Sequence, residues 1–193
     1  MTRTTQAAAV AAALFAMPLL AQEPVQMQQV PVGASQRMIV HRTEIPASSE
    51  AVWDALTTAA GWRTWAVPVA YFDELRVGAV IETSYSSGAL RGDPANIHNT
   101  VLAYVPGRML AFAATNAPPS FPDRELLASL ASVIELEPLG PDSTRVTISM
   151  VGYGADATYD RLFTFFTNGN ALTLRQLRER FVTGPADWAA RQR

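Results

Sequence analysis

From residue 37 onward the chain is periodic, and the period changes three times. Residues 37–45 are rich in β-branched side chains and stop at the Ile45-Pro46 step, which reads as a first strand because the residue before proline is pushed towards extended backbone. Ser48 then supplies an N-cap and Glu50 a carboxylate for the first turn, and Val52, Ala55, Leu56 and Ala59 recur at three- and four-residue spacing. This predicts a short amphipathic helix, interrupted at Gly61 and followed by a second helical turn over residues 62–65. A strand and two short helices therefore lead the domain.

Between residues 69 and 153 the pattern is almost entirely that of strands. Residues 69–75 and 78–86 form a hairpin around Arg76-Val77-Gly78. Residues 95–105 alternate, with Ile97, Asn99, Val101, Ala103 and Val105 on one face and His98, Thr100, Leu102 and Tyr104 on the other. Pro106-Gly107 turns the chain into a partner strand over residues 108–115. A proline-rich break at residues 116–123 and a helical turn over 123–129 precede a last hairpin, residues 131–137 and 144–151. The count is seven strands.

The period then returns to 3.6 over residues 156–182. Tyr159, Leu162, Phe163, Phe166, Leu174, Leu177 and Phe181 share one side of this long helix, and Asp160, Arg161, Arg175, Arg178 and Glu179 the other. Two polar residues, Asn170 and Thr173, interrupt the apolar side. A buried amide needs a partner from backbone, water or ligand.

The first residues follow other rules. Arg3 precedes an apolar run over residues 7–20 that ends in Leu19-Leu20-Ala21, the layout of a secretory signal peptide cleaved near Ala21. The run carries Pro18 and falls short of the ~20 residues needed to span a bilayer. The expected organisation is a signal peptide at 1–21, a flexible leader at 22–35, one domain at 36–183 and a C-terminal tail at 184–193, in a periplasmic or secreted protein with no integral span after cleavage. With no cysteine among 193 residues, a disulfide framework, a thiolate nucleophile and thiolate-ligated metals are excluded. All fifteen basic residues are arginine, so no lysine is present for a Schiff base or a P-loop. The net charge of −2 argues against nucleic acid as a partner.

The element order is that of the helix-grip fold, an α+β architecture in which a curved antiparallel sheet wraps a long C-terminal helix. The stretches Thr43-Glu44-Ile45-Pro46-Ala47 and Glu50 to Thr57, with Trp62, Trp65, Phe72-Asp73 and Arg76-Val77-Gly78, resemble the START-like (SRPBCC) superfamily. Within it they are most similar to the bacterial family named after the activator of heat-shock-protein-90 ATPase. Thr144 to Thr147, Gly152-Tyr153-Gly154 and Asn168-Gly169-Asn170 resemble that family's ending. The resemblance implies a cavity between sheet and helix that takes a hydrophobic small molecule such as a lipid, a terpenoid or a polyketide. An export signal is at odds with chaperone activation, because the chaperone and its ATP belong to the cytoplasm.

Catalytic signals are sparse. His41 and His98 lie in separate strands, with no compact metal-ligand set, no Gly-x-Ser-x-Gly elbow and no dinucleotide or phosphate loop. No catalytic residue, metal or cofactor is therefore assigned. The candidate ligand-binding residues are Trp65, Phe72, Tyr85, Phe112, Phe163 and Phe166 as apolar walls, with His98, Asn170 and Thr173 as orienting polar groups. The leading expectation is a non-catalytic carrier or sensor. A polyketide cyclase or dehydratase using the same cavity, and a protein-binding module of the cell envelope, are the alternatives.

Overall fold

The first predicted strand forms as Gln36–Ile45 (β2), with Ile39, His41, Thr43 and Ile45 buried towards the helix side and Arg42 and Glu44 exposed on the other. These coordinates come from a computed structural model that describes residues 25–191. The expected signal peptide at 1–21 lies outside the described residues. The flexible leader expected at 22–35 instead contributes Gln26–Val32 (β1), which pairs antiparallel with β2 from Gln26 opposite Arg42 to Val32 opposite Gln36. Periodicity misses this strand because nearly all of it is exposed, and Pro31 is accommodated because β1 is an edge.

Ser49–Thr57 (α1) starts where Ser48 Oγ accepts from the Ala51 N–H at 3.3 Å. Ala59–Trp62 (α2) starts where Thr58 Oγ1 accepts from the Gly61 N–H at 2.9 Å. Gly61 is required by packing, since a Cβ there would lie 2.6 Å from the Asp54 carbonyl oxygen. The next hairpin is shorter than its sequence pattern: Val69–Tyr71 (β3) pairs with Val80–Ser84 (β4), and Phe72 and Leu75 leave the sheet to bury themselves in the core. Ile97–Val105 (β5) and Met109–Asn116 (β6) follow. Their register slips between Val101 and Ala103, which turns Tyr104 inward against Trp53, ring centroids 5.5 Å apart, against the alternation expected from sequence.

After a 3-10 turn at Arg124–Ser129 the sheet is completed by Ala131–Gly140 (β7) and Ser143–Gly154 (β8), and the chain ends its domain with Asp160–Val182 (α3). One antiparallel sheet of eight strands results, ordered β1-β2-β8-β7-β6-β5-β4-β3, with α3 packed mainly over β2. This is the expected helix-grip arrangement with one strand more than the seven expected. The expected C-terminal tail is tied to the domain through Ala186 and Trp188. Ala186 N–H donates to the Thr64 carbonyl at 2.8 Å, and the Trp188 indole N–H at the start of Trp188–Arg191 (α4) donates to the Arg63 carbonyl at 2.6 Å.

The core divides into three clusters. Val52, Leu56, Trp65, Ile134, Ile148, Leu174 and Leu177 join α1 and the C-terminal half of α3 to the sheet centre. Trp62, Phe72, Leu75, Ile81, Val101 and Leu110 fill the β3–β6 end. Ile39, Leu130, Met150, Tyr153 and Leu162 seat the start of α3.

Two positions yield tests. Gly152 in β8 has φ +97°, and a Cβ there would stand 1.9 Å from the Ser129 carbonyl oxygen. Gly152→Ala is expected to cost about 3 kcal/mol or more, read as a lowered denaturation midpoint. His41 is fully buried facing α3, and neither ring nitrogen has a hydrogen-bond partner. Desolvation, opposed by the nearby Thr167 backbone, lowers its pKa from 6.5. The unfolded chain therefore binds the proton first, so the stability held above about pH 6.5 is lost as pH falls towards the folded value. His41→Leu should flatten the melting-temperature profile between about pH 7 and 5. An unchanged slope would exclude His41 as its source.

Candidate functional site

The three clusters do not close on one another, and a cavity of about 230 Å³ remains between the sheet and α3. Its walls draw on every cluster: Trp65, Ile134 and Ile148 from the first, Trp62 and Val67 from the second, Leu130 and Met150 from the third. The tryptophans are fixed by their polar ends, with the Trp62 indole N–H donating to the Leu56 carbonyl at 2.6 Å and that of Trp65 to Ala55 at 2.9 Å. Their faces are thereby left to line the cavity.

The opposite end is closed by the proline-rich segment. Ala117 and Phe121 line the cavity, and Phe121 packs edge-on against Phe165 at 4.9 Å and tilted against Phe166 at 6.0 Å. Asp123, held at φ +46°, accepts from Arg161 of α3 at 2.7 Å, a pairing that lowers the carboxyl pKa and raises that of the guanidinium. Tyr85 and Phe165, 70% and 43% exposed, mark where the cavity meets solvent.

Of the nine residues proposed from sequence, Trp65, Tyr85, Phe112, Phe166, Asn170 and Thr173 line this cavity. Phe72 lies behind the wall, edge-on to Trp62 at 6.0 Å. Phe163, one turn before Phe166, falls over β2 and β8, where its ring meets Tyr153 at 5.1 Å and the Arg37 guanidinium at 4.4 Å. That guanidinium is also paired with Asp160. His98 alternates with Ile97 and Asn99, so it faces away from the cavity, with Nε2 3.9 Å from Glu82. The sequence list omits Thr83, Asn99, Ser132 and Phe121. Asn99 and Thr83 carried a usable signal, since they share strand faces with Val101 and Ile81; Phe121 sits in an aperiodic loop and carried none.

No described residue lining the cavity is Asp, Glu, His or Arg. Of its polar groups, Thr173 Oγ1 donates back to the Gly169 carbonyl at 2.9 Å. Asn170, 8% exposed, keeps its amide nitrogen without a hydrogen-bond partner. The sheet's other face carries a larger groove, lined by Arg42, Glu44, Glu135, Glu137 and Arg145, in which Arg145 donates to Glu137 at 2.7 Å and Glu44 at 3.2 Å.

A curved antiparallel sheet gripping a long helix across an apolar cavity defines the helix-grip class. The chain belongs to the family of polyketide cyclases/dehydrases and lipid-transport proteins, whose profile matches residues 37–181. Among solved structures it is similar to the Aha1 dimer from Colwellia psychrerythraea, with 21% identity and a TM-score of 0.58 over 77% of this chain and 98% of that one. CalU16 from Micromonospora echinospora is 20% identical, with a TM-score of 0.56 over 86% and 88% of the two chains. A conserved protein of unknown function from Enterococcus faecalis is 14% identical, with a TM-score of 0.57 over 86% and 85%. At these identities the likeness is one of fold. None of the curated proteins compared with this chain matches it.

The segment between β4 and β5 borders the solvent side, its flanks Tyr85 and Ile97 both lining the cavity. It is pinned from the far face of β4. Glu82, 8% exposed, accepts from the Gly92 N–H and from Asn96 Nδ2, both at 2.6 Å, while Asn96 Nδ2 also donates to the Leu90 carbonyl at 2.9 Å. Tyr71 adds a hydroxyl donated to the Ala89 carbonyl at 3.0 Å. Burial works to raise the Glu82 pKa, but the bonds from Asn96 and Gly92 and the charges of His98 and Arg91 outweigh it and leave the carboxyl below its ordinary value. The stabilisation is thus present above that ordinary value and is lost as pH falls through the lower, folded one. Glu82→Gln should raise amide hydrogen exchange across residues 85–96 at neutral pH by about tenfold, as loss of a charge-assisted anchor implies. Wild type should show the same loosening only below about pH 4. Equal protection in both proteins at pH 7 would remove Glu82 as the anchor.

Proposed function

We propose that this chain is an exported carrier or sensor that holds a hydrophobic small molecule in the cavity between the curved sheet and α3. The observation that carries the reading is the wall itself: aromatic and aliphatic side chains drawn from three core clusters surround a cavity reaching solvent, with no carboxylate, imidazole or guanidinium among the described residues lining it. An apolar concavity with a few polar groups is the usual form of a small-molecule site. Export is supported by the arrangement of residues 1–21. Membership of a family whose description includes lipid transport agrees with the proposed ligand class.

The same description includes cyclases and dehydrases, which move protons. Among the described lining residues the one with a titratable side chain is Tyr85, and it stands at the solvent boundary, 70% exposed. A carrier needs no such group. The geometry therefore favours binding over acid–base catalysis.

Native mass spectrometry of protein recovered from the periplasm or culture medium tests both halves of the proposal. A chain beginning at Gln22 with one co-purifying apolar molecule is the expected result; an uncleaved chain retained in the cytoplasm would overturn export. In a parallel titration, N-phenyl-1-naphthylamine should bind and fluoresce. Ala114→Phe, which adds a ring at the cavity wall, should weaken that binding at least about tenfold while costing no more than about 1–3 kcal/mol in stability. Undiminished binding to this variant would place the probe elsewhere.

A further inference from the structure

We infer that the ligand is uncharged and carries a hydroxyl group that pairs with the side-chain amide of Asn170. The inference rests on the cavity reading above and narrows it. Asn170 lies mid-helix on α3, more than nine-tenths buried, and lines the cavity. Its amide nitrogen is sealed from solvent and without a hydrogen-bond partner. Leaving such a group unpaired costs about 1–3 kcal/mol, and a leucine of similar shape would avoid the cost. The amide is also set into a mainly apolar helix side, between Phe166 and Leu174.

What can satisfy it is restricted by its neighbours. Thr173, the next polar residue on the same wall, has already given its proton to the Gly169 carbonyl. Without a charged lining residue, a carboxylate, phosphate or ammonium brought into this cavity would be desolvated with no counter-charge, at a cost of several kcal/mol. A neutral oxygen carries no such cost. A hydroxyl suits an amide in either orientation, because it donates to Oδ1 and, with the amide turned over, accepts from Nδ2. The cavity's 230 Å³ lies below the 300–1,000 Å³ of drug-sized sites, which fits a compact ring system or short chain better than a two-chain lipid.

Four naphthalenes of matched shape separate the possibilities by isothermal titration calorimetry at pH 7: 2-(2-naphthyl)ethanol, 2-propylnaphthalene, 2-naphthylacetate and 2-(2-naphthyl)ethylamine. Wild type should bind the alcohol and the hydrocarbon, and the two ions at least about thirtyfold more weakly than the alcohol. Asn170→Leu should weaken the alcohol about tenfold and leave the hydrocarbon unchanged or tighter. In wild type the side-chain amide protons of Asn170 should move further downfield with the alcohol than with the hydrocarbon, whose matched ring supplies the shared ring-current shift, a readout that does not depend on the variant folding. Ions bound as tightly as the alcohol would overturn the uncharged assignment. An alcohol and hydrocarbon affected equally by the substitution, with no selective resonance shift, would overturn the role of Asn170 while leaving the cavity reading intact. Failure of all four probes to bind wild type would remove the cavity reading and this inference together.

Discussion

The seating of α3 against the sheet decides almost everything else in the molecule. Leu174 and Leu177 anchor its C-terminal half among Val52, Leu56 and Trp65, while Leu162 anchors its start against Ile39, Met150 and Tyr153. Between those anchors lie Phe166 and Asn170, both lining the cavity. A sealed, dry void of 230 Å³ would cost roughly 5 kcal/mol at about 24 cal/mol per Å³, comparable to the whole stability of a small domain. The chain avoids that full cost by letting the space reach solvent beside Tyr85 and Phe165, and by bracing its edges with groups whose polar ends are satisfied elsewhere.

Bracing is done differently at the two sides of the cavity. Trp62 and Trp65 are held by hydrogen bonds to carbonyls of the preceding helix, so α1 and α2 act as a frame for their rings. At the other end the frame is tertiary: an ion pair between Asp123 and Arg161 ties the proline-rich segment to α3, and three phenylalanines pack across the joint. Chain chemistry follows from composition here. With no cysteine or lysine, cross-links between distant segments are made by arginine forks and backbone hydrogen bonds.

Much of this architecture was legible in the residues. The Ile45-Pro46 stop, the Ser48 cap and the 3.6-residue period after Gly154 each identify an element that forms. The failures have separate physical causes. β1 is exposed on nearly every residue, so pairing with β2 leaves no hydrophobic period to detect. Tyr104 turned inward because a bulge shifts the pleat by one residue, and no propensity marks a bulge without glycine. For the cavity, Trp65, Phe112 and Phe166 follow from periodicity, whereas Phe163 shares the same helical side and still falls over β2. Helical phase says which side is buried; it does not say whether the neighbour is a strand or a void. His98 shows the strand version of the limit, since its own alternation with Asn99 sends it to the opposite face.

The crossing at Gly152 has a mechanical meaning. β8 touches the Ser129 carbonyl there with no side chain between them, so two backbones are in direct contact at the base of the aromatic wall. Backbone-to-backbone contact has no rotamers through which to yield. The wall carrying Leu130 and Phe121 is backed by that contact, while the segment flanked by Tyr85 and Ile97 is tied by side chains: Glu82 to Gly92 and Asn96, Tyr71 to Ala89, and Asn116 to Pro94 and Asn96. For a cavity that takes a guest as proposed, this build assigns size selection to the backbone-backed wall and exchange kinetics to the wall tied by side chains.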